Sequence, residues 1–320
     1  MTFQEFVEYA KNNIKDYLPD TFRNDEPEVR VMNKLNSSYT GLTLRPTTRG
    51  NVAVACADLD MFYQSLDEGL SLEEAMSEMA KAIMTPAMDI SMEIYSNYET
   101  AKDRLFVRVG NAAASQGILG NAPHRLIGDI SVTYHLLIDE NEEGLGSSTV
   151  TNELLEKYGV SEERLYEDAV QNSQRLFPPT ISCMDDEFMY SVLTGIPRAY
   201  EEFDKSLPEV SFDRAQMLVL SNKQSMFGAA VMLYPDLLEK VAEQTGEDFY
   251  ILPSSVHEVL LLQKNSDYSP VQLQEMVESI NNTSVDPKDV LSNNVYQYVS
   301  LVREIDMIEP EWELEEEFEL

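Results

Sequence analysis

The sequence predicts an α+β protein of two domains, an N-terminal β-meander with flanking helices and a C-terminal ββαββα antiparallel sheet with helices. Three observations carry this prediction. Short runs with apolar residues at period 2 alternate along the chain with longer runs at period 3.6. The last third reads strand, strand, helix, strand, strand, helix. Composition shifts at PPTISCMDDEF, Pro178 to Phe188, which places a boundary near residue 180. The expected organisation is 1–180, 181–308 and an acidic tail at 309–320.

The chain opens on a helix. Thr2 and Glu5 have the spacing of a capping box, and Phe3, Phe6, Val7, Ala10, Ile14 and Tyr17 recur at helical spacing up to Pro19. Three short strands are expected next: EVRVMNKL, then TGLTLRP after the polar turn NSSY, then NVAVACADL after TTRG. Ser71 caps a following helix, SLEEAMSEMAKAIM. AKDRLFVRV reads as a strand, and the small, glycine-rich GNAAASQGILGNAP as irregular chain.

IGDISVTYHLLI alternates cleanly. Ile130, Val132, Tyr134, Leu136 and Ile138 fall on one face, with Asp129, Ser131, Thr133 and His135 on the other, the pattern of a half-buried strand. VTNELLEKYGV and SEERLYEDAVQNSQRLF are helices, the second capped by Ser161. Beyond the boundary, MLVLSN and FGAAVMLY are expected strands. PDLLEKVAEQTG is a helix from Pro235 to Gly246, DFYILP and HEVLLLQ are two more strands, and SPVQLQEMVESINN is a helix.

At 320 residues, 43% of them hydrophobic, the chain can bury a large core. No apolar run is long enough to cross a bilayer, and MTFQEFVEYAKNN lacks the basic and apolar regions of a secretory signal. Cys56 and Cys183 stand in no CxxC or metal spacing and read as buried thiols of a reducing cytoplasm. The net charge is −34, from 57 acidic and 23 basic residues, with −20 of it from residue 181 onward. Such a field disfavours direct binding to nucleic acid or anionic lipid, and it draws in a basic protein partner.

Candidate chemistry is sparse. In ILPSSVHEVLLL, Ser255 and His257 lie too close along one backbone for a hydroxyl-to-imidazole approach, and no GxSxG elbow surrounds either serine, so the stretch reads as a turn between strands. His124, Arg125 and Asp129, in NAPHRLIGD, form the one triplet able to supply a base, an anion clamp and an acid. The alternative is a salt-bridged cluster at a strand entrance. The histidines lack HExxH spacing, so no metal and no cofactor is expected. Asp58 with Asp60, and Asp185, Asp186 and Glu187, are pairings that arise by chance in so acidic a chain. No GK[ST] or GxGxxG frame cradles a nucleotide. In the tail, Trp312, Leu314, Phe318 and Leu320 are interleaved with seven glutamates from Glu309 onward. Trp312, Glu315, Glu316, Glu317 and Phe318 are therefore candidate partner-binding residues.

Several stretches together resemble a known bacterial family. They are GLTLRPTTRGNVAVACADLDMFYQSLDEGLSLEEAM, KDRLFVRVGN with APHRLIGDISVTYHLL, VTNELLEKYGVSEERLYEDAVQNSQRLFPP, and MLVLSNKQSMFGAAVMLYPDLLEKVAEQTGEDFYILPSSVHEVLLL followed by VDPKDVLSNNVYQYV. Members are proteins of roughly 300 residues catalogued only as a domain of unknown function. The resemblance implies a bacterial, cytoplasmic protein, from a family found chiefly in anaerobic Gram-positive gut bacteria and often on mobile elements. It brings no catalytic residues. The functional expectation is a non-catalytic acidic interaction protein that binds a basic partner, in its narrower form one that mimics nucleic-acid charge to inhibit a nucleic-acid-binding defence protein. The alternative is an enzyme centred on His124, Arg125 and Asp129.

Overall fold

The computed structural model describes residues 1–45, 55–84, 92–141, 144–184, 217–246, 248–264 and 268–309. These form an α+β fold whose strands pair antiparallel throughout. The chain divides into two compact units, Met1–Met92 and Glu93–Leu320.

In the first unit, helix α1 (Phe3–Asn13) has the expected capping box, with the Thr2 hydroxyl accepting from the Glu5 N–H and the Glu5 carboxylate from the Thr2 N–H. Strands β1 (Glu26–Lys34) and β2 (Ser37–Arg45) form a hairpin. Its turn is tighter than NSSY suggests, because Asn36 takes a left-handed φ of 65° and Ser37 already pairs. Strand β3 is only Ala57–Asp58, since Asp58 caps helix α2 (Leu59–Asp67) through the Met61 N–H; the rest of the expected strand NVAVACADL, up to Val54, lies outside the described residues. Helix α3 (Leu72–Met84) starts at the expected Ser71, whose hydroxyl accepts from the Glu74 N–H. Phe6, Ile14, Leu42, Leu59, Met76 and Met79 form the core between sheet and helices.

The second unit holds two sheets. The smaller contains β4 (Leu105–Asn111), β5 (His124–Ile127), β6 (Ile130–Asn141) and β7 (Gly144–Thr149). Strand β6 is the hub, pairing with the other three. One face of β6 buries Ile130, Val132, Tyr134 and Leu136 as expected, but Ser131, Thr133 and His135 are buried too. The half-buried reading is therefore corrected. The hydroxyls make this possible by bonding to the neighbouring strand, Ser131 donating to the Gly110 carbonyl at 2.9 Å and Thr133 to that of Arg108 at 3.4 Å. After the short helices α4 (Tyr98–Ala101) and α5 (Gln116–Leu119), helices α6 (Asn152–Tyr158) and α7 (Glu162–Leu176) follow as expected, capped by Thr151 and Ser161. GNAAASQGILGNAP is mainly turns, with one helical turn at Gln116–Leu119.

The larger sheet has the order β13-β12-β10-β11-β9-β8. Its strands are β8 (Pro179–Met184), β9 (Met217–Asn222), β10 (Phe249–Leu252), β11 (Val259–Gln263), β12 (Tyr296–Val299) and β13 (Glu304–Met307). The composition shift near residue 180 falls within β8, inside the second unit. FGAAVMLY is not a strand. Gly228–Leu233 is a buried 3-10 turn, because Gly228 lies so close to β9 and His257 that a Cβ would stand 2.2 Å from the Ser221 hydroxyl and 2.4 Å from the His257 carbonyl. This turn packs on β9 and β11. The helix Pro270–Thr283 sends Leu273 and Val277 onto Leu252 and Leu262. ILPSSVHEVLLL is the expected hairpin, with β10 paired to β11.

Candidate functional site

The hairpin that carries His124, Arg125 and Asp129 does not gather them. Successive residues of β5 point to opposite faces. The His124 Nδ1 donates to the Ala122 carbonyl at 2.9 Å, and the ring is exposed. Arg125 reaches the first turn of α7. Its Nε and Nη2 donate to the two Glu162 carboxylate oxygens at 2.9 and 3.0 Å, and Nη2 donates to Glu163 at 2.6 Å. The Tyr134 hydroxyl donates to the same Glu162 carboxylate. Hydrogen bonding from Arg125, more than the opposing desolvation, holds the Glu162 carboxyl below its usual value. Asp129 turns the other way and accepts from Ser292 at 2.8 Å, from Asn294 at 3.0 Å and from the Tyr296 hydroxyl. It ties the β5–β6 turn to the start of β12.

Arg125 does have a part in a site. Its guanidinium stacks 3.8 Å over the ring of Tyr166 on α7. Tyr166 in turn lines a groove of about 410 Å³. The floor is apolar and aromatic, from Ile127, Met232, Leu238 and Tyr298, while Asp236, Glu239, Glu304 and Asp306 bring four carboxylates to it. Glu239 is paired with Arg303. Asp236, Glu304 and Asp306 have no basic partner among the described residues. Both Asp236, at φ 60°, and Arg303, at φ 58°, hold left-handed backbones that non-glycine residues rarely adopt. Just beside Arg303, in the β12–β13 turn, Leu301 is 90% exposed and Val302 54% exposed. Desolvation raises the titration of both Tyr166 and Tyr298, so each hydroxyl stays neutral across the physiological range.

Such a groove suits a long cationic side chain. The alkyl stem can lie on the aromatic floor while the ammonium or guanidinium meets carboxylates at the rim. Nothing in the sequence announced it, because Ile127, Tyr166, Asp236 and Asp306 are spread over 180 positions with no common spacing.

The other sequence candidates have structural duties. Asp58 caps α2, and the Asp60 carboxylate accepts from the Thr40 N–H. No group of three or more metal-ligating side chains stands together among the described residues. The His257 imidazole accepts the Phe227 N–H at Nδ1 (3.2 Å) and faces Asp289 from Nε2 (3.5 Å), so neither nitrogen is turned to Ser255. The Ser255 hydroxyl instead accepts from the His257 N–H at 3.1 Å. Cys56 is a half-buried free thiol that burial pushes up from its usual range. Asp185, Asp186 and Glu187 lie outside the described residues, as do Trp312, Glu315, Glu316, Glu317 and Phe318 and the side chain of Cys183. Among the described residues no helix is long and apolar enough to cross a membrane.

Fold and site together define an antiparallel α+β protein that presents an acid-rimmed groove. The chain matches the model of the family of unknown function DUF5688 over residues 3–300, and it belongs to that family. No curated protein and no solved structure matches it.

Proposed function

We propose that the protein is a non-catalytic interaction protein that engages a basic protein partner, and that the groove between Tyr166, Tyr298 and Asp306 is where a lysine or arginine of that partner seats. The observation that carries this reading is the groove's composition, three carboxylates without basic partners among the described residues, beside Tyr166, Tyr298 and apolar side chains. In the β12–β13 turn, next in sequence to the groove residue Arg303, Leu301 and Val302 are large apolar side chains left in solvent, where a partner would cover them. A net charge of −34 raises the encounter rate with such a partner and repels nucleic-acid phosphate. Trp312, Glu315, Glu316, Glu317 and Phe318 supply a second contact of the same chemistry, large apolar groups among carboxylates. In the narrower form of this reading the acidic surface stands in for nucleic-acid charge and blocks a nucleic-acid-binding protein.

The test uses a fluorescent peptide of alternating arginine and leucine, and an analogue with glutamine for arginine. The wild-type protein binds the arginine peptide in low salt and releases it as salt rises, while the glutamine analogue does not bind. The triple variant Asp236→Asn, Glu304→Gln, Asp306→Asn binds at least tenfold more weakly. Equal binding by the triple variant would remove the groove from the account. The narrower form requires in addition that the protein displace DNA from the partner it captures.

A further inference from the structure

The buried polar face of β6 has a counterpart on β4. Arg108 pairs with Thr133 across the sheet, so its side chain rises on the same face as Ser131, Thr133 and His135. The residue keeps some solvent access, yet its Nε is fully covered and has no hydrogen-bond partner among the described residues. Among the described residues no carboxylate makes an ion pair with it. Asp289 acts on it only through space, and burial outweighs that help, lowering the guanidinium to about 10. An arginine so placed costs stability. In a chain with 57 carboxylate side chains, a contact partner would be easy to supply.

Its surroundings are built rather than incidental. The guanidinium lies 3.5 Å over the centroid of Phe227. That ring stacks on His257, with centroids 5.7 Å apart and planes at 26°, and the Phe227 N–H is fixed by the His257 Nδ1. Phe227 and Ser225 both hold left-handed backbones, at φ 53° and 52°, so two strained residues in three shape this shelf. On the same face of the sheet, the Thr133 hydroxyl donates to the Arg108 carbonyl and accepts from the His135 Nε2 at 3.0 Å.

We propose that Arg108, stacked on Phe227 and sharing a sheet face with Thr133 and His135, is a receptor for the oxyanion of a small molecule, a carboxylate or a phosphate group. Held against an aromatic ring, the planar fork keeps its two Nη groups side by side in one plane, the geometry that recognises two oxygens at once. The site is separate from the acid-rimmed groove, and its ligand has the opposite charge. Asp289 limits the charge the site accepts, which favours a singly or doubly charged group over a polyanion.

The experiment follows thermal unfolding of the full chain in sodium phosphate, in sodium acetate and in sodium chloride of matched ionic strength. Wild type shows a saturable rise in Tm with phosphate, with acetate or with both, beyond the chloride control. Phosphate alone identifies a phosphate ester, acetate alone a carboxylate, and both the shared chemistry. Arg108→Met, which removes the uncompensated charge, matches or exceeds the wild-type Tm in chloride, by about 2–4 °C, and loses the anion response. Arg108→Lys keeps charge without the fork and shows a response weakened at least fivefold. The proposal is overturned by a wild type without any saturable rise, or by a rise that persists in Arg108→Met. Should Arg108→Met fail to fold, Phe227→Leu replaces it, and an undiminished response there overturns the proposal equally.

Discussion

Gly128 occupies the turn between β5 and β6 at φ +56°, where a Cβ would meet the Tyr296 hydroxyl at 2.7 Å and the Met307 sulfur at 2.9 Å. Backbone strain and close packing both oppose a side chain, so Gly128→Ala is expected to cost about 2–4 kcal/mol in urea unfolding. Glu258 gives the opposite sign. Desolvation raises its carboxyl, against a smaller lowering by His257. A raised folded value means the native state holds the proton more tightly than the unfolded chain. Stability is therefore present at low pH and is lost as pH rises from the ordinary carboxylate range through the raised value. Glu258→Gln removes that loss, so the variant is more stable than wild type at pH 7 and equal to it near pH 4. At this scale the sequence was partly legible. Arg125 and Asp129 stood out by residue type and proximity, but their places on the hairpin, Arg125 in β5 and Asp129 in the β5–β6 turn, send them to different partners, which composition does not reveal.

Among the elements, strand β6 shows where periodicity informs and where it misleads. Its alternation correctly located a strand with Ile130, Val132, Tyr134 and Leu136 inward. The same alternation hid the burial of Ser131, Thr133 and His135, because a polar face looks solvated until the chain that covers it is known. His135 has a testable consequence. Burial, and then the charge of Arg108, depress its titration well below 6.5. The unfolded chain takes up that proton first, so stability falls as pH drops below about 6.5. His135→Gln keeps a polar side chain without titrating, and its stability should decline less steeply between pH 6.5 and 5 than that of wild type. FGAAVMLY failed as a strand for a related reason. A short, continuous apolar run is equally a buried strand or a buried turn, and the close approach of Gly228 to β9 decides for the turn. Strands β12 and β13 were missed because polar residues interrupt both four-residue runs, YQYV and EIDM, whereas the equally short β10 is a continuous apolar run, FYIL. The Asp129 cluster that joins β5–β6 to β12 predicts that Asp129→Ala destabilises by about 2–4 kcal/mol, since Ser292, Asn294 and the buried Tyr296 hydroxyl lose one shared acceptor.

For the molecule as a whole, charge is the dominant physical property, and it was fully legible in composition. Composition does not say where carboxylates lack a cation or which apolar groups stand beside them, and both depend on the fold. The groove takes Ile127 from β5, Tyr166 from α7, Asp236 from a helix start and Asp306 from β13, so only the assembled second unit brings them together. The long-range field and the groove make separable contributions. Salt should slow association with a basic partner for wild type and groove variants alike, whereas the groove variants should also dissociate faster. The most direct measurement of the central claim is the affinity of the arginine–leucine peptide for wild type and for the Asp236→Asn, Glu304→Gln, Asp306→Asn variant, each followed through a salt titration. Binding that falls with salt in wild type and is at least tenfold weaker in the variant at every salt concentration is the predicted result. Affinities that coincide across the titration would contradict it, leaving the net charge to act without a specific seat.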